Sequence, residues 1–224
     1  MLSVRIRSIT VGAGVMVALL VSVASSALAQ EPPPPIGPFV ADVRASFPFY
    51  PTDLELANAV GRPTTALPGR GLGLTLGGHW YPVRWRAVTI GLGGEYFLSG
   101  GSQAPTEDEL TAATTPLPTI ETRLSSFSPQ VSLNFGSGNG WSYLSGGYGT
   151  TTLIVRREGE PGSGSETSPR TFNYGGGARW FNVDHIAFTL DVRIYALNPS
   201  ANEAGTIVVP RATVVVLNVG VAFR

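Results

Sequence analysis

The chain has no cysteine and no lysine, and only two histidines among 224 residues. Without cysteine there are no disulfides and no thiolate metal sites. Every basic residue is therefore an arginine, and fifteen of them balance fifteen acidic residues for a formal charge of zero. That balance leaves little from which to build a basic patch and argues against a nucleic-acid partner. Charge is scarce altogether, at 13% of residues against about 25% in a typical soluble protein. Helical periodicity is missing as well beyond the N-terminal segment. What the chain does hold is glycine, 28 residues of it, with 18 prolines. Such a chain must still avoid aggregating, and a lipid-facing surface would resolve that tension.

The first residues read as a targeting segment. Arg5 and Arg7 precede an apolar stretch from Ile9 to Val23, and Ala27-Leu28-Ala29 has the small-x-small form of a signal-peptidase site. We expect a signal peptide over 1–29, cleaved near Ala29. Residues 30–38 contain four consecutive prolines, Pro32 to Pro35, and read as an extended, Pro-rich periplasmic leader.

From residue 39 onward the pattern is alternation. Ile186, Phe188, Leu190, Val192 and Ile194 alternate with Ala187, Thr189, Asp191, Arg193 and Tyr195. The last segment sets Thr213, Val215, Leu217, Val219, Val221 and Phe223 against Val214, Val216, Asn218, Gly220 and Ala222. Five more segments alternate, and an eighth, Trp141 to Arg156, has faces that cannot be told apart. Pro129 lies inside one strand and cannot donate to a ladder, so a bulge or local break is expected there. Short connections at 82–86, 136–140 and 182–185 alternate with long ones at 48–68, 99–120, 157–169 and 198–210. The pattern predicts an all-β, eight-stranded antiparallel up-and-down transmembrane barrel over 39–224, with short periplasmic turns and long external loops. A block beginning Gly77-Gly78-His79-Trp80-Tyr81 returns as Gly177-Ala178-Arg179-Trp180-Phe181, implying two hairpins of one design.

Face assignment follows from charge. If the apolar faces turned inward, water would meet mostly Gly, Thr, Ser and Asn, whereas soluble surfaces carry about 25–35% charged residues. The apolar faces are therefore expected outward. Trp80, Trp85, Trp141, Trp180 and Phe223, with Phe135 and Tyr143, then fall at the short-turn end as membrane-interface aromatics. A second belt near the long loops includes Phe47, Phe49, Tyr50, Tyr96, Phe127, Phe172 and Tyr174. Asp42, Arg44, Glu95, Arg179, Asp191 and Arg193 point into the lumen, where opposite charges should pair, with Glu95 near Arg44 or Arg193. Side chains are expected to fill the lumen as a structural plug; inward glycines, among them Gly77, Gly91, Gly93, Gly177 and Gly220, leave room for a thin water path as the alternative.

With its Ala27-Leu28-Ala29 site, its Gly-x-x-Trp-aromatic blocks and its final Leu217-Asn218-Val219-Gly220-Val221-Ala222-Phe223, the chain resembles the small outer-membrane β-barrel proteins, the OmpA/OmpX-like group. The resemblance covers about residues 39–224. It implies residence in a Gram-negative-type outer membrane, contact with outer-membrane lipid and lipopolysaccharide, and recognition of the last strand by the outer-membrane assembly machinery. No wall-tethering domain is expected.

His79 and His185 both map to the periplasmic end, while barrel enzymes of this kind acting on lipid A work from the outer leaflet. We therefore assign no catalytic, cofactor-binding or metal-ligating residue. The acidic clusters Thr106-Glu107-Asp108-Glu109 and Glu158, Glu160 and Glu166 read as solvated loop surface whose spacing fits no calcium loop. The expected function is non-enzymatic: a structural or surface-interaction role through the long loops, toward an external ligand the sequence does not name. A small conducting, porin-like barrel, a lipid-modifying barrel enzyme and a soluble lipocalin-like periplasmic carrier remain as alternatives.

Overall fold

The structure, a computed structural model, describes residues 34–59, 61–159, 170–201, 207–209 and 211–224. The expected signal peptide lies outside them. Within them, β1 (Phe39–Phe49), β2 (Leu72–Trp85), β3 (Val88–Gln103), β4 (Ile120–Ser137), β5 (Gly140–Arg157), β6 (Arg170–Val183), β7 (Ile186–Leu197) and β10 (Ala212–Phe223) form one closed barrel. Each strand pairs antiparallel with its neighbours, and β1 closes the ring on β10, with Ala41 opposite Phe223 and Phe49 opposite Val215. Two further short strands, β8 (Ser200–Ala201) and β9 (Ile207–Val209), pair within the last long loop.

The alternation in the sequence is the alternation in space. Along β1 residues switch between exposed and buried at every step, as a wall with an apolar exterior and a filled interior requires. Phe47, Leu76, Leu92, Leu133, Phe188 and Leu217 all face outward and exposed. The strands run further than the sequence indicates. The three short connections tighten to Arg86-Ala87, Gly138-Asn139 and Asp184-His185, and β3 continues through Gln103, well into the expected third loop.

Two bulges interrupt the ladders, between Trp80 and Val83 on β2 and between Phe181 and Val183 on β6. They follow the two copies of the repeated block, and Pro82 cannot donate at the first of them. At Pro129 the β4–β5 ladder skips from Phe127 to Gln130 without changing register. The break expected there is a gap and not a shift.

The leader is less separate than expected. Ile36 is buried among Val40, Tyr81, Trp141 and Ala222, and Tyr81 N–H donates to the Pro38 carbonyl at 2.8 Å. At the same end Arg224 donates from Nε to the Asp184 carbonyl at 2.5 Å and from Nη1 to the Gly138 carbonyl, with its guanidinium 4.2 Å from the Phe181 ring centre. One side chain thus ties together the β4–β5 and β6–β7 turns.

Two short helices correct the all-strand expectation in the loops. α1 (Leu54–Ala59) buries Leu56 and Ala57 against Leu67 and Ile120, folding the first long loop back onto the rim of β4. α2 (Glu107–Ala112) forms where only a solvated acidic cluster was expected. Its start is a capping box: Glu109 N–H donates to Thr106 Oγ1 at 3.4 Å, and Thr106 N–H donates to Glu109 Oε2 at 2.9 Å. Arg62, from the first loop, pairs with Glu109 at 3.2 Å. The Thr106 backbone N–H first, and Arg62 second, hold the Glu109 carboxyl below its ordinary value of 4.5. A depressed carboxyl contributes stability that is present above its unfolded value and is lost as pH falls through the folded one. Amide exchange protection at Glu109 and Leu110 should therefore be constant above about pH 4.5 and collapse below it. A flat profile down to pH 3 would show that the carboxylate does not cap this helix.

Candidate functional site

The lumen is the most organised polar region among the described residues. Its inward side chains form three tiers. Near the long loops the tier is apolar: Phe97, Leu124, Leu153, Leu197, Val214 and Val216 pack with Tyr195 and with Tyr50, which is buried here and not in the outer belt expected for it. Near the short turns it is aromatic, built on Tyr81, Trp141, Tyr143 and Phe181. Between them lies the charge.

The middle tier brings together all six charged residues expected there, each 3% exposed or less. Three arginines meet three carboxylates, so the tier is formally neutral. Arg44 is the hub. It reaches Asp42 Oδ1 at 2.8 Å, Glu95 Oε2 at 2.5 Å and Asp191 Oδ1 at 3.1 Å. Arg179 holds the other oxygen of Asp42 at 2.7 Å. Arg193 bridges Glu95 at 3.2 Å and Asp191 at 3.3 Å. Glu95 thus touches both arginines that its strand height allowed.

Neutral groups complete the shell. Tyr195 donates to Glu95 at 2.7 Å, Tyr143 to Asp191 at 3.0 Å, and Asn218 to Asp191 at 2.9 Å. Arg193 donates to Gln130 at 2.9 Å and Ser145 at 2.9 Å, and Gln130 donates on to Asn173 at 2.7 Å. Buried ions need such partners, since the attraction within a pair does not by itself offset desolvation. The sequence reading left these groups out of the network. For Tyr195 and Asn218 the signal was present, because both sit on the inward register beside charged residues. For Tyr143 and Ser145 it was not, because both faces of β5 mix small, polar and aromatic residues.

Two expectations are corrected. Trp141 is not a membrane-interface aromatic: it is 3% exposed and points into the lumen. It stacks on Phe181 at 5.1 Å and meets Tyr81 edge-on at 5.9 Å. Tyr143, placed in the same belt, lies inward with the Arg179 guanidinium 4.4 Å above its ring. Two-residue periodicity obliges 141, 143 and 145 to share a face, and that face is the lumen. Trp80, Trp85, Trp180 and Phe223 do point outward, each at least 44% exposed.

The space over several inward glycines is occupied. Large neighbours cross above them. A Cβ on Gly77 would sit 2.6 Å from Asp42 Oδ1, one on Gly177 would sit 2.9 Å from Tyr143 Oη, and one on Gly93 would sit 2.7 Å from the His79 ring. Gly77 and Gly177 are the matching positions of the repeated block, so both copies clear space for the same network.

His79 is buried against Tyr81, with ring centres 6.4 Å apart, and is no rim residue. Neither of its nitrogens is hydrogen-bonded among the described residues. His185 is an exposed turn residue. Of the second acidic cluster, Glu160 and Glu166 lie outside the described residues, while Arg156 bonds Glu121 instead, at 2.7 and 3.0 Å.

No family model matches the chain, and no curated protein does. Solved structures do. The crystal structure of Neisserial surface protein A superposes with a TM-score of 0.55 over 84% of this chain and 97% of that one, at 12% identity. The fold is that of the small eight-stranded outer-membrane barrels. Ail, the attachment invasion locus protein of Yersinia pestis, solved with the heparin analogue sucrose octasulfate, gives 0.49 over 83% and 96% at 12% identity. The outer membrane protein OprG of Pseudomonas aeruginosa gives 0.45 over 85% and 97% at 13%. At such identities the likeness is one of fold, and function must be argued from this chain's own residues.

Proposed function

We propose that the protein is an integral outer-membrane barrel whose lumen is a structural plug and whose long loops form a surface-interaction platform, without enzymatic activity. One observation carries this reading: the barrel is inside-out relative to a soluble one, with its charges sealed in the lumen and Leu, Val, Phe and Trp side chains exposed around the wall. In water that exterior would drive association. Against hydrocarbon it is the stable arrangement, because the closed ladder leaves no strand edge unpaired. Strand β10, with Leu217, Val221 and Phe223 outward, offers the apolar terminal strand through which the assembly machinery would act.

The three tiers favour a plug over a channel, since side chains fill an eight-stranded barrel. The buried, unpartnered setting of His79 gives no support to acyl-transfer chemistry. The helices α1 and α2, tied through Arg62 and Glu109, make the first two long loops a surface suited to recognition.

Fractionation followed by a denaturing gel of boiled and unboiled samples tests the reading. The protein is expected in the outer-membrane fraction, with an unboiled band that shifts on heating, and planar bilayers should show no conductance steps. Recovery as a soluble periplasmic protein without a heat shift would overturn the membrane reading. Steady conductance would replace the plug with a pore.

A further inference from the structure

The ladder register places outward side chains of β2 to β5 in rows around the wall. Leu72, Gly100, Arg123 and Ile154 share one row. Leu74, Leu98, Ser125 and Thr152 share the next row toward the turns. Three small residues, Gly100, Ser125 and Thr152, thus stand among four large apolar ones. The result is an open groove of about 690 Å³ in the outer wall. Crowding does not force glycine at position 100: a Cβ there would meet nothing nearer than the Thr122 carbonyl at 3.8 Å. The small residue leaves room on the outside of the barrel, unlike the inward glycines.

At the loop-side end of this groove sit exposed guanidiniums. Glu121 is engaged by Arg156 through two donors to one oxygen. Arg123 lies 3.6 Å from that same oxygen and remains 62% exposed. Arg70, two residues before Leu72, is exposed over the Phe49 ring at 5.8 Å and forms no ion pair among the described residues. Arg123 on β4 and Arg70 just before β2 thus expose guanidiniums at the loop-side end of the groove. The height is also informative. From Val88 to Leu98 the outward residues of β3 climb ten positions, about 25 Å along the axis at about 3.3 Å per residue and a tilt of about 40°. That matches the apolar band of a membrane barrel. The groove lies at the upper edge of the band, with its arginines where hydrocarbon gives way to headgroups.

We infer that this groove docks an acyl chain of a phosphate-bearing lipid of the outer leaflet, whose phosphates are held by Arg123 and Arg70. The inference rests on the membrane reading above. Guanidinium forks suit phosphate oxygens, the leucines and Ile154 suit a chain, and the order of the two along the axis is that of an inserted lipid.

Native mass spectrometry of the full-length barrel in detergent tests this, with bisphosphorylated lipid A and its dephosphorylated form as acyl-matched probes. Wild type should retain the phosphorylated lipid roughly tenfold more strongly, as expected for about two arginines acting at the surface. The Arg70→Gln/Arg123→Gln double variant should lose that preference, and Gly100→Phe, which fills the groove, should weaken both lipids. The unboiled gel band reports whether each variant has folded. Equal retention of the two lipids by wild type, or an unchanged preference in the folded double variant, overturns the inference. Absence of wild type from the outer-membrane fraction would instead defeat the membrane reading on which it rests.

Discussion

An Arg44→Met barrel should lose about 3–5 kcal/mol of unfolding free energy, the usual cost of stripping one partner from a buried ionic cluster. Arg44 is the only described residue that touches all three lumenal carboxylates. Without it Asp42 keeps Arg179, while Glu95 and Asp191 must share Arg193. One negative charge is then left without a counter-ion in a region shielded from water at both ends by packed side chains. Methionine fills the volume of the lost stem without adding charge, so the effect reads as electrostatic. Adding Glu95→Gln restores neutrality and should recover a substantial part of the loss. The amide oxygen at position 95 can still accept from Tyr195. Equilibrium urea unfolding of the four members of this cycle provides the measurement. Strict additivity, or a loss under about 1 kcal/mol for Arg44→Met alone, would show that the cluster is not energetically coupled.

Trp141→Ala should cost about as much by a different route, about 3–5 kcal/mol for emptying an aromatic site inside a packed region. The indole fills the space between Tyr81 and Phe181, with the Arg179 guanidinium 6.0 Å from it. Trp85→Ala removes a residue that is 67% exposed. It should cost far less, because only an outer contact is lost and no cavity forms. Lipid accessibility separates the two cases independently of stability. In variants carrying a single tryptophan, brominated lipids should quench Trp80, Trp85 and Trp180 strongly and Trp141 weakly. Strong quenching of Trp141 would put it on the lipid face and remove the aromatic tier from the plug.

The value of the lumenal network is not that ion pairs outperform apolar packing. Replacing a whole buried cluster with fitted hydrophobic residues is often neutral or stabilising. Its contribution to this fold is register. Slipping any strand by one residue would turn its outward apolar set inward and send its charges into the wall. With Asp42 and Arg44 on β1, Glu95 on β3, Arg179 on β6 and Asp191 and Arg193 on β7, several separate slips would each strand a buried ion. The repeated blocks extend the same logic. Gly77 and Gly177 stand at matching points of two hairpins, and each clears the space that a neighbouring network side chain occupies.

Much of this was legible in the chain because β-structure writes itself with a period of two. Alternation marked seven of the eight strands and set the six charges opposite the apolar faces, and nearness to the short turns put Trp80, Trp85, Trp180 and Phe223 at one interface. The scarcity of charge decided which face meets water. Other features were decided only in three dimensions. The faces of Trp141 to Arg156 could not be separated, because a lumen filled by aromatic and aliphatic side chains at its two ends carries the same residue types as a wall facing lipid. Helix α2 was hidden for another reason: six residues are too few to show a helical period, though the Thr106-x-x-Glu109 spacing of a capping box was there to be read. Beyond Glu95, which its height put near Arg44 or Arg193, the pairing of carboxylates with arginines was likewise undetermined. Strand parity fixes the face a side chain occupies, whereas its partner across the lumen depends on tilt and stagger, which are set when β1 closes on β10. By itself, then, the sequence determined strand number, the facing of seven strands and the charged contents of the interior, through a local period that needs no knowledge of distant residues. Only the tertiary structure decided that Tyr50, Trp141 and Tyr143 turn into the interior, that Arg44 is the hub of its charges, and that Gly100, Ser125 and Thr152 open a groove beside exposed arginines, because each of these depends on contacts between strands far apart in the chain.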